Sequence, residues 1–294
     1  MQKFTIRDIE NLTGIKAHTL RIWEQRYGFF KAQRKESLHR FYDNEDLKKL
    51  LRISFLYHQG MKISRIAALK EQDMLSLIRK TKAAENNQSL FVASLLEAAI
   101  DFNEDAFTHT LQAITKEIGF EKCITEVCYP YLRRLGMLWS TNNIIPAQEH
   151  FSSYLIQNRI IAETEKLPGS GKLPEIVLIC PEGEFHELPL LFIHYLLKKR
   201  GWSVIYLGTN VKKSEIVSLA SVTSIRYLYL HLITNFTGTG IDEYLEDICR
   251  SFSAQKVFAS GEGARQVQRS FVNLHLLKSD ADIYRFIDRT GLQD

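Results

Sequence analysis

Glu184 and His186 stand two residues apart in a stretch that runs from Cys180 through Gly183 to Pro189. An imidazole with a carboxylate this close has the makings of a metal ligand and of the partner that orients and polarises it. Before the pair, Glu175 to Cys180 is a short apolar run that predicts a buried parallel strand. After it, Leu190 to Lys199 carries apolar residues at helical spacing. The pair therefore belongs on a strand-to-helix loop at the carboxyl edge of an open α/β sheet, where such folds bind ligands.

Holding that loop takes a whole domain, and residues 174–294 read as one. Strands are predicted over Ile176–Cys180, Ser203–Leu207, Tyr227–Leu232, Lys256–Ser260 and Asn273–Leu277. Helices are predicted over Leu190–Lys199, Lys213–Ser221, Ile241–Phe252, Ala264–Ser270 and Asp280–Asp288. This alternation specifies a doubly wound, Rossmann-like parallel α/β sheet. The Pro- and Gly-rich stretch from Leu167 to Pro174 is a linker ahead of it. Upstream, Leu90–Ile100, Glu104–Ile118, Cys123–Gly136 and Ala147–Glu163 have helical spacing and predict a four-helix bundle over 90–167. Arg133 and Arg134 read as a solvated pair near a helix end. His194 and His231 read as satisfied core histidines, and the glycines at 261 and 263 lack the full spacing of a dinucleotide loop.

The chain has 294 residues, 45% hydrophobic and 24% charged, as expected of a soluble multidomain protein. No apolar run reaches the roughly 18 residues of a membrane span, and the first residues lack a signal-peptide core. Cys123, Cys128, Cys180 and Cys249 form no C-x-x-C pair, so free thiols in a reducing cytoplasm are expected. Cys123 and Cys128, five apart on a regular helix, would face different sides. The net charge is +4, yet residues 1–80 hold 9 Lys and 8 Arg against 9 acidic residues, leaving −4 on the remainder. A basic head on a mildly acidic body suggests a polyanion-binding module joined to one that binds something else.

Within that head, Thr5 with Asp8 three residues on predicts a capped helix carrying Ile6, Ile9 and Leu12 on one face. Gly14 supplies a tight turn, and a second helix runs from Ala17 to Tyr27 before Gly28. Two helices about a glycine turn make a helix-turn-helix. Lys16, His18, Thr19, Arg21, Arg26 and Tyr27 are available to phosphates or base edges. The basic and aromatic residues Arg34, His39, Arg40 and Tyr42 flank a small turn, as in a β-hairpin wing that grips the backbone beside the groove. Asp43 then opens a third helix ending at Gly60, with a fourth from Met61 to Leu69.

The segment Thr19 to Gly28, the wing end Arg40 to Asp43 and the segment Gly60 to Ile66 together resemble the MerR-family winged helix-turn-helix over residues 1–75. Gln33 stands where that family usually has proline. The resemblance implies a dimeric binder of a near-palindromic promoter site that acts by bending or untwisting DNA. The segment that follows, polar and short with a linker over 76–89, points to association through the body. Trp139, followed after nine intervening residues by Glu149 and His150, resembles the helical cap of the cobalamin-binding MerR regulators, the CarH/LitR-like group. The resemblance implies that these three cover the upper face of adenosylcobalamin. Ser140 stands where light-sensing members have histidine, so a light response by that route is not expected.

The C-terminal domain likewise resembles the cobalamin-binding domain shared with methionine synthase and the mutases. The D/E-x-H-x-x-G pattern falls on Glu184, His186 and Pro189, the S-x-L pattern on Leu230 and Leu232, and the G-G pair, after 27 residues, on Ser260 and Gly261. The resemblance implies His186 as the lower ligand of cobalt, oriented by Glu184. It also implies a nucleotide slot beside the first and third strands, flanked by Leu230, Ser260 and Gly261. Leu230 and Ser260 would add bulk in that slot, and Pro189 would stiffen the ligand loop. A slot filled by side chains is a core, so a former cobalamin domain kept as scaffold stays open.

The function expected is a cytoplasmic transcription regulator, a repressor and not an enzyme. It binds double-stranded operator DNA, forms a homo-oligomer (dimer or tetramer) stabilised by bound cobalamin, and meets RNA polymerase. A cofactor-free body that answers to a partner protein or another small molecule is the alternative. A corrinoid carrier for methyl transfer is more remote, because no part of the chain is left for a catalytic domain.

Overall fold

Short capping motifs set out the N-terminal region, and the computed structural model describes residues 4–28, 30, 33–34, 40–81, 88–140, 146–233 and 240–289. Strand β1 (Phe4–Thr5) leads into α1 (Ile6–Thr13), where Thr5 and Asp8 form the expected capping box. Gly14, at φ 70°, ends α1 in the left-handed conformation that favours glycine. Helix α2 (Ala17–Tyr27) follows, and then the hairpin of β2 (Gln33–Arg34) and β3 (Arg40–Tyr42). β1 pairs with the other edge of β3, giving the order β1-β3-β2. A two-residue strand is too short to show alternation, which is why β1 could not be read in advance. Helices α3 (Asn44–His58), α4 (Ile63–Ala67) and α5 (Glu71–Thr81) complete the region. Residues 76–81, expected to open a linker, are the end of α5. The core is built from Phe4, Ile9, Leu12, Leu20, Trp23, Leu47, Leu50 and Leu51, and Trp23 meets Tyr57 edge-on at 4.8 Å.

The bundle follows as α6 (Gln88–Ile100), α7 (Glu104–Ile118), α8 (Phe120–Lys122), α9 (Tyr129–Ser140) and α10 (Pro146–Glu165). Between α8 and α9, Cys123–Cys128 forms a π-helical turn. This corrects the expectation for the two cysteines. A π turn closes its hydrogen bonds at i+5 and so brings residues five apart over each other. Both thiols are buried, and a hydrogen bond to Cys123, followed by burial, holds the Cys128 thiol well above its ordinary value.

The chain divides into two compact units, Met1–Leu155 and Ile156–Asp294, with the boundary inside α10. Within the first unit, ion pairs join α3 to α6. Arg52 Nε and Nη2 donate to the two oxygens of Glu97 at 3.1 and 2.9 Å. Arg52 Nη1 reaches Glu71 at 2.5 Å, and Lys48 Nζ reaches Asp101 at 2.6 Å and Glu45 at 2.9 Å. A bidentate guanidinium–carboxylate pair fixes orientation as well as distance. Desolvation raises the Glu97 pKa, opposed by the Arg52 hydrogen bond and charge.

The second unit holds the α/β domain: β4 (Ile176–Pro181), α11 (Leu188–Lys199), β5 (Val204–Val211), α12 (Lys213–Val222), β6 (Tyr227–His231), α13 (Ile241–Ser251), β7 (Lys256–Ser260), α14 (Glu262–Arg265), β8 (Leu274–Leu277) and α15 (Asp280–Ile287). The five strands are parallel in the order β5-β4-β6-β7-β8. The order reverses between β4 and β6, and that switch point opens the ligand crevice of such folds. One sheet face is aliphatic, with Val177, Ile179, Leu228, Leu230, Val257 and Ala259 against Ile216, Leu245 and Ile248. The other is aromatic: Phe286 lies 4.2 Å from Phe258, 5.4 Å from Trp202 and 5.6 Å from Tyr229, ring to ring. Helix α14 is shorter than the expected 264–270, because Asp242 Oδ1 accepts the amides of Gln268 and Arg269 and holds that chain outside the helix.

Two predictions follow from this packing. Arg52→Ala should lower stability by about 2 kcal/mol, since it strands the Glu97 carboxylate at a partly desolvated contact; urea unfolding with an unchanged midpoint would refute the clamp. His194 is held near a pKa of about 4 by burial and then by the Lys198 charge, and His231 near about 4 by burial. Unfolded histidine titrates near 6.5, so the unfolded chain takes up the extra protons as pH falls. Stability should be complete above about pH 6.5 and lost as pH falls toward 4, by up to about 3 kcal/mol per histidine. His194→Phe should flatten that pH dependence, and an unaltered slope would count against the assignment.

Candidate functional site

The loop after β4 is built around one carboxylate. Gly183, at φ 84°, turns the chain, and its amide donates to Asn210 Oδ1 at 2.9 Å. The turn sends the Glu184 side chain inward, where it is fully buried. Its Oε1 accepts the His186 amide at 3.0 Å and His186 Nδ1 at 2.5 Å. Its Oε2 accepts the Ile233 amide at 2.9 Å, tying the loop after β4 to the loop after β6 across the switch point. The His186 side chain keeps 56% of its surface exposed. With Nδ1 committed to a carboxylate, Nε2 is the ring nitrogen left for a ligand.

Among the described residues, no group of three or more His, Cys, Asp or Glu side chains is placed to hold a metal ion. A single imidazole backed by a buried carboxylate suits a metal that brings its own equatorial ligands, and by that criterion the residues fit a corrinoid cobalt. The Cys180 thiol beneath the loop is pushed up by burial and then by Glu184 and Glu187. Pro189 sits in the first turn of α11, where proline is well accommodated, so its role is to start a helix and not to stiffen the loop.

The flanking positions need correction. Register pairs Leu230 with Ala259 and His231 with Ser260. Alternation along each strand therefore puts Leu230 and Ser260 on opposite faces, and they cannot crowd one slot together. Leu230 belongs to the aliphatic core. Ser260 is buried on the other face, with Oγ 2.7 Å from the Tyr229 hydroxyl and 2.8 Å from His231 Nδ1. Gly261, at φ 93°, has no room for a side chain, because a Cβ there would stand 2.2 Å from the Leu232 carbonyl oxygen. His231 is not the satisfied core residue expected, since its Nε2 is buried and has no hydrogen-bond partner among the described residues. Residue type alone carried no signal of this; it depends on which strands are neighbours.

In the bundle, Trp139 and Ser140 close α9, and their side chains lie outside the described residues. Glu149 lies in the first turn of α10 and His150 follows it, with His150 Nδ1 3.3 Å from Glu149 Oε2. On the basic head, α2 presents His18, Arg21 and Arg26 as exposed residues, with Thr19 and Tyr27 partly exposed. Arg26 lies over the Tyr27 ring at 5.5 Å. Lys16 is exposed beside this row, and its Nζ is 3.1 Å from Glu10 Oε1. Ile22, not among the expected contacts, is exposed in the same helix. Tyr42 is corrected: it is fully buried, its ring 6.0 Å from that of Phe30, so it is core and not a group facing a duplex. His39 and the side chains of Arg34 and Arg40 lie outside the described residues.

Residues 4–73 match the MerR HTH family of regulatory proteins, and residues 92–162 match a B12 binding domain. The chain is 28% identical over 272 residues to the HTH-type transcriptional repressor CarA of Myxococcus xanthus, covering 92% of this chain and 90% of CarA. It is 26% identical over 219 residues to the repressor CarH of the same organism, covering 72% of this chain and 73% of CarH. A Methanosarcina barkeri monomethylamine corrinoid protein shares the fold, with a TM-score of 0.57 at 14% identity over 69% of this chain and 99% of that one. The chain is a homologue of the CarA and CarH repressors that joins a MerR-type helix-turn-helix to a B12-binding domain.

Proposed function

We propose that the protein is a DNA-binding transcriptional repressor whose body senses a corrinoid of the cobalamin type. The observation that carries the sensing half is the Glu184–His186 pair: a fully buried carboxylate holds Nδ1 of a half-exposed imidazole at the carboxyl edge of the sheet. His186 would ligate the metal and Glu184 would fix the ring and its tautomer. A bound corrinoid would supply a cobalt centre for that imidazole to ligate.

The DNA half rests on α2, whose exposed His18, Arg21 and Arg26 suit phosphates and base edges. The ion pairs of Arg52 and Lys48 link α3 to the first bundle helix and give a change in the bundle a rigid route to the DNA-binding helices. In this reading the protein works in the cytoplasm, performs no catalysis, assembles as a homo-oligomer and meets RNA polymerase at the promoter. Among the described residues, no helix is long and apolar enough to cross a membrane.

Arg21→Ala should weaken operator binding and reduce the salt slope by about 0.9 for the lost phosphate contact. Equal affinity of variant and parent at one fixed salt concentration, by fluorescence anisotropy on the operator duplex, would reject α2 as the contact helix. The parent protein should retain hydroxocobalamin or adenosylcobalamin through gel filtration with the visible spectrum of a histidine-ligated corrinoid, and His186→Ala should lose that spectrum. Absence of corrin absorbance in the protein peak would sink the sensing half and leave the DNA half standing.

A further inference from the structure

Beneath the His186 loop lies a second histidine with unused chemistry. His231 ends β6 with its ring between the carboxyl ends of β4 and β7, and only 5% of the residue is exposed. Tyr229 and Ser260 share its face and are fully buried. The Tyr229 hydroxyl donates to Ser260 Oγ at 2.7 Å. Ser260 Oγ and His231 Nδ1 lie 2.8 Å apart, and the serine donates to the ring in the tautomer that keeps the ring proton on Nε2. A neutral imidazole that accepts at Nδ1 carries its proton on Nε2. That Nε2–H is buried and has no acceptor among the described residues. Buried donors are almost always paired, so an unpaired one marks a place where a ligand atom is missing.

The surroundings narrow the ligand. Gly261 packs against this ring: a Cβ there would stand 3.2 Å from His231 Cε1 and 2.2 Å from the Leu232 carbonyl oxygen, so only glycine fits beside that edge. Glu184 is the nearby fixed charge, already engaged by His186 and the Ile233 amide. A cation cannot accept from an N–H, and an anion would face the Glu184 carboxylate. A neutral acceptor remains: a carboxamide carbonyl or an aza-aromatic nitrogen.

We propose that His231 Nε2–H is a ligand-positioning donor that hydrogen-bonds a neutral acceptor on the corrinoid held by His186. The assignment rests on the corrinoid reading above. Corrinoids carry both kinds of acceptor, carboxamides on the rim of the ring and an aza-aromatic nitrogen in the nucleotide base. The Tyr229–Ser260–His231 chain sets the tautomer, and the strand ends set the position.

The test titrates the full-length protein with hydroxocobalamin and with aquocobinamide, which keeps the carboxamides and lacks the nucleotide, reading affinity from the visible spectrum. His231→Asn keeps an acceptor toward Ser260 and removes the Nε2 donor, and should weaken binding about tenfold. His231→Gln places an amide donor near Nε2 and should recover most of that loss. Loss with both ligands assigns the acceptor to a ring carboxamide; loss with hydroxocobalamin alone assigns it to the base nitrogen. Parent-like affinity of His231→Asn for both ligands would overturn the proposal while leaving the corrinoid reading intact. Failure of the parent to bind either ligand would remove the reading itself. Should the variants misfold, histidine 15N spectra of the parent decide: protonation at Nε2 with a shift at that nitrogen on corrinoid binding supports the proposal. Protonation at Nδ1, or an Nε2 that does not respond, defeats it.

Discussion

The buried carboxylate of Glu184 is the constraint on which the ligand edge depends. A fully buried carboxylate is tolerated only where donors surround it, and here the donors come from two separate loops. The His186 ring and amide bind one oxygen and the Ile233 amide binds the other, so the ends of β4 and β6 are held at one spacing. The same contact that satisfies the charge selects the histidine tautomer and leaves Nε2 for a ligand. The sheet order explains why this happens at that edge, since β4 and β6 are neighbours only because the chain reverses direction across the sheet there.

A second polar cluster does comparable work in the first unit. Arg52 and Lys48 project from α3 onto carboxylates of α6, α5 and the α6–α7 turn. Side-chain exposure of 9% for Lys48 and 16% for Arg52 places these charges where water screens them weakly. Such pairs add little net stability compared with apolar packing, yet they specify one arrangement and resist separation. A regulator whose sensing helices must influence DNA-binding helices needs a contact of that kind.

Local pattern predicted most elements to within a few residues. All five strands of the α/β domain and their intervening helices follow alternations of apolar runs and turn residues, the capping box of α1 was visible as Thr5 with Asp8, and the start of α3 as Asp43. The misses share a cause. β1 is stabilised by pairing across to β3, the π turn at Cys123 by its packing in the bundle, and the early end of α14 by the distant Asp242. Each depends on a partner that the local sequence does not contain.

The sequence by itself determined the division into a basic helix-turn-helix head, a helical middle and an α/β body, because periodicity and charge are local properties. It also determined that Glu184 and His186 are a competent pair, because two residues of spacing allow an imidazole to meet its neighbour's carboxylate. Tertiary structure alone decided which flanking residues join them. Side chains alternate across a sheet, so strand register sends Leu230 to the aliphatic core and brings Ser260, Tyr229 and His231 together on the other face. It likewise decided that Tyr42 faces inward. Exposure and the satisfaction of a buried nitrogen depend on every neighbour in space, and only the folded chain supplies those neighbours.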